Sequence, residues 1–113
     1  MSVKERFEDD IAIIAVSGNL MGGPETAAVH EKVREVVGKS YKKLVIDLSG
    51  VKWINSSGLG ALMGSMTTMK NADGEMKLAN VSERILSLFM ITKLVTIFET
   101  YDSADKAIGS FMK

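Results

Sequence analysis

Residues Leu44 to Leu62 read LVIDLSGVKWINSSGLGAL, and the change of pattern inside them decides the fold. Leu44 to Leu48 is a near-continuous apolar run with β-branched residues at its centre, as in a strand buried on both faces. A short connection follows, Ser49 to Asn55, and then Ser56-Ser57-Gly58. Beyond it Leu59, Leu62, Met63, Met66 and Met69 recur at helical spacing, predicting a helix that stops near Asn71 to Gly74. A buried strand running through a tight loop into an amphipathic helix is half of a βαβ unit, so the sheet is expected to be largely parallel.

The flanking sequence extends this pattern. Ile11 to Val16 is a second buried strand, and Val3 to Phe7 alternates loosely enough to be a half-exposed edge strand. The acidic turn Glu8-Asp9-Asp10 joins them into an N-terminal hairpin. After the loop Gly18 to Gly23, Pro24 suits a first helical position and Glu25 faces the positive end of the helix dipole. Ala28, Val29, Val33, Val36 and Val37 form the apolar stripe of that helix, which Gly38 ends. Downstream, Glu75 to Asn80 alternates as a strand, and Ser82 caps a helix through about Thr92, with Glu83 in its first turn. Val95 to Tyr101 is expected to be the final strand, and Asp102 or Ser103 to cap a closing helix, Ala104 to Met112. The order β-β-α-β-α-β-α-β-α defines an α/β fold: a mixed, mostly parallel central sheet with an N-terminal β-hairpin and about four helices. Residues 1–113 form one domain in this reading, without repeat or linker.

Composition narrows the function. With 46% hydrophobic and 25% charged residues the chain is an ordinary globular one. Lys plus Arg and Asp plus Glu both number 14, which argues against a nucleic-acid or anionic-membrane partner. Neutrality also leaves little repulsion between copies, so a monomer and a weak homodimer are both compatible. The absence of cysteine removes disulfides, thiolate metal sites and a Cys nucleophile. No apolar stretch approaches the about 18 residues of a membrane span, and charged Met1 to Asp10 does not read as a secretory signal; a cytoplasmic protein is expected.

Catalysis finds little support. His30 is the sole histidine, sits among charged residues on the first helix and is expected at the solvated surface, which leaves no Ser-His-Asp triad to assemble. Asp47, at a strand end, is expected to make loop hydrogen bonds. Gly58, Gly60 and Gly64 superficially suggest a dinucleotide loop, but Asn80 stands where the ribose-binding acid should follow the next strand. Gly60 and Gly64 are read instead as allowing close helix–sheet packing. No enzyme, cofactor or metal is expected; a small nucleotide-binding protein of flavodoxin-like build is the alternative from another class. Met63, Met66 and Met69 share a face with Leu62 and read as core. Leu88 to Ile91 are apolar nearly all round their helix, so part of that surface is either covered or a contact patch. Trp53 reads equally as a partner anchor and as a half-buried residue beside the sheet end.

The chemistry-bearing feature is therefore the pair of hydroxyls at the start of the second helix. Free N–H groups and a partial positive charge of about half a unit collect at such an end. Ser56 and Ser57 can cap it; phosphorylated, a serine there would add about −1.5 to −2 charge.

Asn55-Ser56-Ser57-Gly58-Leu59-Gly60, preceded by the Leu44 to Leu48 strand, resembles the signature of the STAS domain, and more narrowly that of bacterial anti-sigma-factor antagonists. Their pattern is Asp-Ser-Ser/Thr-Gly-Leu-Gly after a buried strand, and chain length and element order also match. The resemblance implies a mixed sheet covered by helices and a regulatory binding module. It implies that Ser56 is phosphorylated by a partner serine kinase, a histidine-kinase-like ATPase that is also the anti-sigma factor. The unphosphorylated domain would bind that kinase and free the sigma factor, and phosphorylation would break the complex. Asn55, Ser56, Ser57, Gly58 and Leu59 are the implied contacts, with Trp53, Asn19 and Met21 flanking them. Two departures stand out: Asn55 replaces the usual Asp, and Gly18-Asn19-Leu20-Met21 lacks the acid of a Gly-x-Leu-Asp pattern. A STAS scaffold or oligomerisation module with Ser56 unmodified is the alternative within binding.

Overall fold

The computed structural model describes residues 2–112. A five-stranded sheet of strand order β1-β2-β3-β4-β5 is built from β1 (Ser2–Glu8), β2 (Ile11–Ser17), β3 (Lys43–Gly50), β4 (Glu75–Ala79) and β5 (Glu99–Tyr101). β1 pairs antiparallel with β2, and every later pair is parallel. The helices are α1 (Pro24–Gly38), α2 (Ser56–Asn71), α3 (Glu83–Ile91) and α4 (Ala104–Phe111).

Each parallel strand is added on the same side of its predecessor, so right-handed crossovers place α1, α2 and α3 on one face. That face holds the main core: Val29, Val33 and Val36 of α1, Leu59, Leu62, Met66 and Met69 of α2, and Ile85 and Phe89 of α3 pack on Ile14, Leu44, Ile46 and Leu78. The other face is covered by α4, whose Ala107 and Ile108 meet Ile11, Ile13, Val45 and Ala79. Strands β2 to β4 are thus buried on both faces, as the apolar runs Ile11 to Val16 and Leu44 to Leu48 require of the first two. Lys77 is the exception on β4. Its ammonium donates to Ser110 Oγ at 2.6 Å, lies 4.2 Å from the Phe111 ring centroid and pairs with Glu99 at 3.4 Å, pinning α4 to the sheet.

Four expectations about the elements are corrected. Val95 to Tyr101 is not one strand: Leu94–Thr96 form a 3₁₀ turn, and only Glu99–Tyr101 pair with β4. Burial decides this. Leu94 and Phe98 both reach the core, Phe98 against Phe89 at 5.3 Å, and the spacing between them needs a helical turn that leaves Val95 and Ile97 exposed. Secondly, His30 is not a solvated residue. It is half-buried between α1 and α2, hydrogen-bonds Thr68 Oγ1 at 3.1 Å and occupies the space above Gly64. Gly64 therefore serves helix–helix packing and not helix–sheet packing, while Gly60 is exposed with nothing packed on it. Met63 leaves the apolar stripe and faces outward, because the buried line runs Leu59, Leu62, Met66, Met69. Gly38 ends α1 as expected, and Ser40 supplies the left-handed turn after it (φ 69°).

The caps of α3 and α4 are as expected. Ser82 accepts from the Ile85 N–H at 3.3 Å, and Ser103, of the two residues considered, accepts from Lys106 at 3.1 Å.

Candidate functional site

The carboxyl ends of β2 and β3 continue into two loops that are laced together. Gly18 N–H donates to the Gly50 carbonyl at 3.0 Å, Leu20 N–H to Trp53 at 3.0 Å, and Asn55 N–H to Leu20 at 3.2 Å. The side-chain carbonyl of Asn19 accepts from Trp53 N–H at 3.2 Å. Buried Leu20 anchors the first loop, and Leu20 and Ile54 make a parallel bridge beyond the strands proper. Pairing at this depth turns two loops into one platform whose backbone groups are largely satisfied. From it Met21 and Trp53 project with 50% and 51% of their surface exposed.

Asn55 joins the platform to α2. Its Oδ1 accepts the Gly58 N–H at 3.1 Å, capping the helix, while its Nδ2 donates to the Met21 carbonyl at 2.9 Å. An amide accepts and donates at once, whereas a carboxylate only accepts. An amide suits this position, because a carbonyl oxygen stands opposite its Nδ2. This also corrects the capping assignment. Ser56 and Ser57 do not cap α2; Asn55 does, and the two serines occupy the first turn with their side chains exposed.

Gly22 closes the arrangement. It has φ 97°, in the left-handed region, its N–H donates to Thr26 Oγ1 at 2.9 Å, and a Cβ there would touch Ser57 Cβ at 3.4 Å. The loop after β2 therefore lies directly against the first turn of α2. Buried Gly58 and Leu59 support this turn from beneath, while Asn19, Met21, Trp53, Ser56 and Ser57 face outward.

Asp47 makes the loop hydrogen bonds expected of it, accepting from Ser49 N–H and Asn80 Nδ2, both at 3.0 Å. These bonds tie the ends of β3 and β4 and leave its Oδ1 occupied. Among the described residues no group of three or more acidic or histidine side chains converges as metal ligands would. The strand order never reverses, unlike the doubly wound sheets whose nucleotide crevice opens at a reversal.

One participant escaped sequence reading. The Arg84 guanidinium lies 3.8 Å from the centroid of the Trp53 ring, stacking α3 against the loop before Ser56. The available signal was positional: both residues follow the carboxyl ends of adjacent parallel strands.

Sheet, crossovers and platform define a small mixed α/β module whose most elaborated surface is a pair of interlocked loops at a helix start. A family model described as the STAS domain matches residues 2–107. The anti-sigma-B factor antagonist of Listeria monocytogenes is 32% identical over 103 residues, covering 88% of this chain and 85% of its own length. Among solved structures, an anti-sigma factor antagonist from Mycobacterium paratuberculosis is 25% identical with a TM-score of 0.80, covering 99% of this chain and 94% of that one. SpoIIAA of Bacillus in its phosphorylated form has the same fold at 16% identity and a TM-score of 0.75, covering 97% and 99%. The chain belongs to the STAS domain family. No helix of the described residues is long and apolar enough to cross a membrane.

Proposed function

We propose that this chain is an anti-sigma-factor antagonist that docks on an anti-sigma serine kinase through the platform and is released by phosphorylation of Ser56. The observation that carries this reading is the position of Ser56: an exposed hydroxyl in the first turn of α2, with the exposed Met21 and Trp53 on the adjoining loops. A neutral serine at the rim of such a surface permits close contact. A phosphoryl group there would be desolvated without a partner charge, a penalty of several kcal/mol. Each ~1.4 kcal/mol is tenfold in affinity, so binding would be lost. The similarity to the Listeria monocytogenes antagonist supports the same reading.

The second reading, a STAS scaffold with Ser56 unmodified, draws on Asn55 and Met21, since neither offers a kinase the carboxylates common at these positions. Incubation with the cognate serine kinase and ATP, followed by intact-mass measurement, separates the two. One added phosphate that disappears in Ser56→Ala is the expected result. Kinase binding without phosphate transfer would establish the scaffold instead.

A further inference from the structure

Trp53 separates two depressions beside the platform. On one side the indole, Ile54, Ile85, Leu88 and Ile91 line a cavity of about 260 Å³ with mainly apolar walls. On the other, Lys52, Ser82 and Arg84 surround a cavity of about 230 Å³. Arg84 borders both, held over the indole.

Two features mark this surface as incomplete. At the end of α3, Ile91 is 79% exposed and lines the same cavity as an indole that is itself half open. Contiguous apolar surface of this kind commonly marks a contact site. Among the described residues, moreover, neither Lys52 nor Arg84 makes an ion pair; Lys4, Lys42, Lys70 and Lys93 also make none, but of these six only Lys52 and Arg84 border the two cavities. In a chain with equal numbers of acids and bases, two free cations beside an apolar groove leave a positive rim. A second copy would present the same cations and gain no complementarity.

We propose that this groove receives an acidic–apolar segment of a partner protein. An aliphatic or aromatic side chain would enter the apolar cavity, and a carboxylate about one helical turn away would meet Lys52 and Arg84. The inference rests on reading the platform as a protein-docking surface, because Trp53 shares its loop with Asn55. It extends the contact to α3 and adds a charge-selective subsite that phosphorylation of Ser56 does not occupy.

Trp53 is the sole tryptophan, so its emission reports on the groove directly. The full-length chain is titrated with a short amphipathic helical peptide bearing Leu and Glu at i and i+4, and with the same peptide carrying Gln for Glu. Saturable change in Trp53 emission is expected, with about tenfold weaker binding of the Gln peptide. Arg84→Glu should weaken the Glu peptide by a similar factor, and added salt should narrow the difference. Ile91→Asp should weaken both peptides. Arg84→Gln is the milder control, and thermal unfolding confirms that each variant is folded. Absence of any Trp53 response, or equal binding of the Glu and Gln peptides, would overturn the proposal. So would a concentration-dependent dimer abolished by Ile91→Asp, which would assign the groove to a second copy. The peptide titration uses neither kinase nor phosphate, so it can fail while Ser56 switching stands, and the mass assay can fail while the groove stands.

Discussion

Gly58 lies so close to Leu20 that a Cβ on it would run into the Leu20 carbonyl oxygen and stand 2.8 Å from the Leu20 Cβ. The same atom would stand 2.6 Å from Ile54 Cγ1. Part of this contact is backbone, so no rotamer change relieves it. Gly58→Ala is expected to lower stability by about 1–3 kcal/mol despite the ~1 kcal/mol helix-propensity gain of alanine. Urea denaturation should show an earlier midpoint at unchanged slope. An unaltered midpoint would mean that the loop backs away from α2 freely.

Asn55 makes two separable contributions. Asn55→Ala removes the cap and the bond to Met21, and should cost about 1 kcal/mol from the cap alone. Asn55→Asp keeps an acceptor for Gly58 but sets a carboxylate against the Met21 carbonyl, so α2 should hold while residues 19–23 loosen. Amide hydrogen exchange reads the difference: faster exchange at Leu20 and Gly22 in the Asp variant with little change along α2. Protection of these amides equal to wild type would deny the amide its bridging role.

A charge at Ser56 should harm association and not folding. Ser56 sits where the dipole of α2 favours an anion, so Ser56→Asp is expected to leave thermal stability unchanged or raise it by about 0.3–1 kcal/mol. Affinity for the cognate regulator should fall at least tenfold in the same variant, about 1.4 kcal/mol or more. A destabilised Ser56→Asp protein would show that the hydroxyl is held by the fold more tightly than its exposure implies.

His30 and Gly64 should behave as a coupled pair. A Cβ on Gly64 would lie 3.1 Å from His30 Cε1, so in the wild-type background the strain of Gly64→Ala opposes the helix gain. With His30→Ala the space opens, and the same substitution should then stabilise by about 1 kcal/mol. A double-mutant cycle measures this coupling; additive effects would mean that the imidazole swings aside without loss.

The order of elements was readable because apolar runs and helical stripes alternate cleanly along the chain. The misread segment, Val95 to Ile97, is rich in β-branched residues that favour a strand locally. Burial of Leu94 and Phe98 on one side overrode that preference. His30 misled for a related reason: its sequence neighbours are charged, but Thr68 and Gly64, which enclose it, come from another helix. Near the platform, the placement of Ser56 at the start of α2 was legible from the strand-loop-helix pattern. The capping role of Asn55 was not, since it depends on the Met21 carbonyl standing opposite. Nor was the Trp53–Arg84 stack, which arises only when neighbouring strands align their ends.

Because each strand bonds to its immediate predecessor in the chain, the sheet never has to hold a gap open for a later segment. The hairpin β1–β2 closes first over a short turn, and each following strand finds its pairing edge already made. Loop-closure costs therefore stay small at every stage. Such a chain can assemble vectorially, in the order in which a ribosome delivers it.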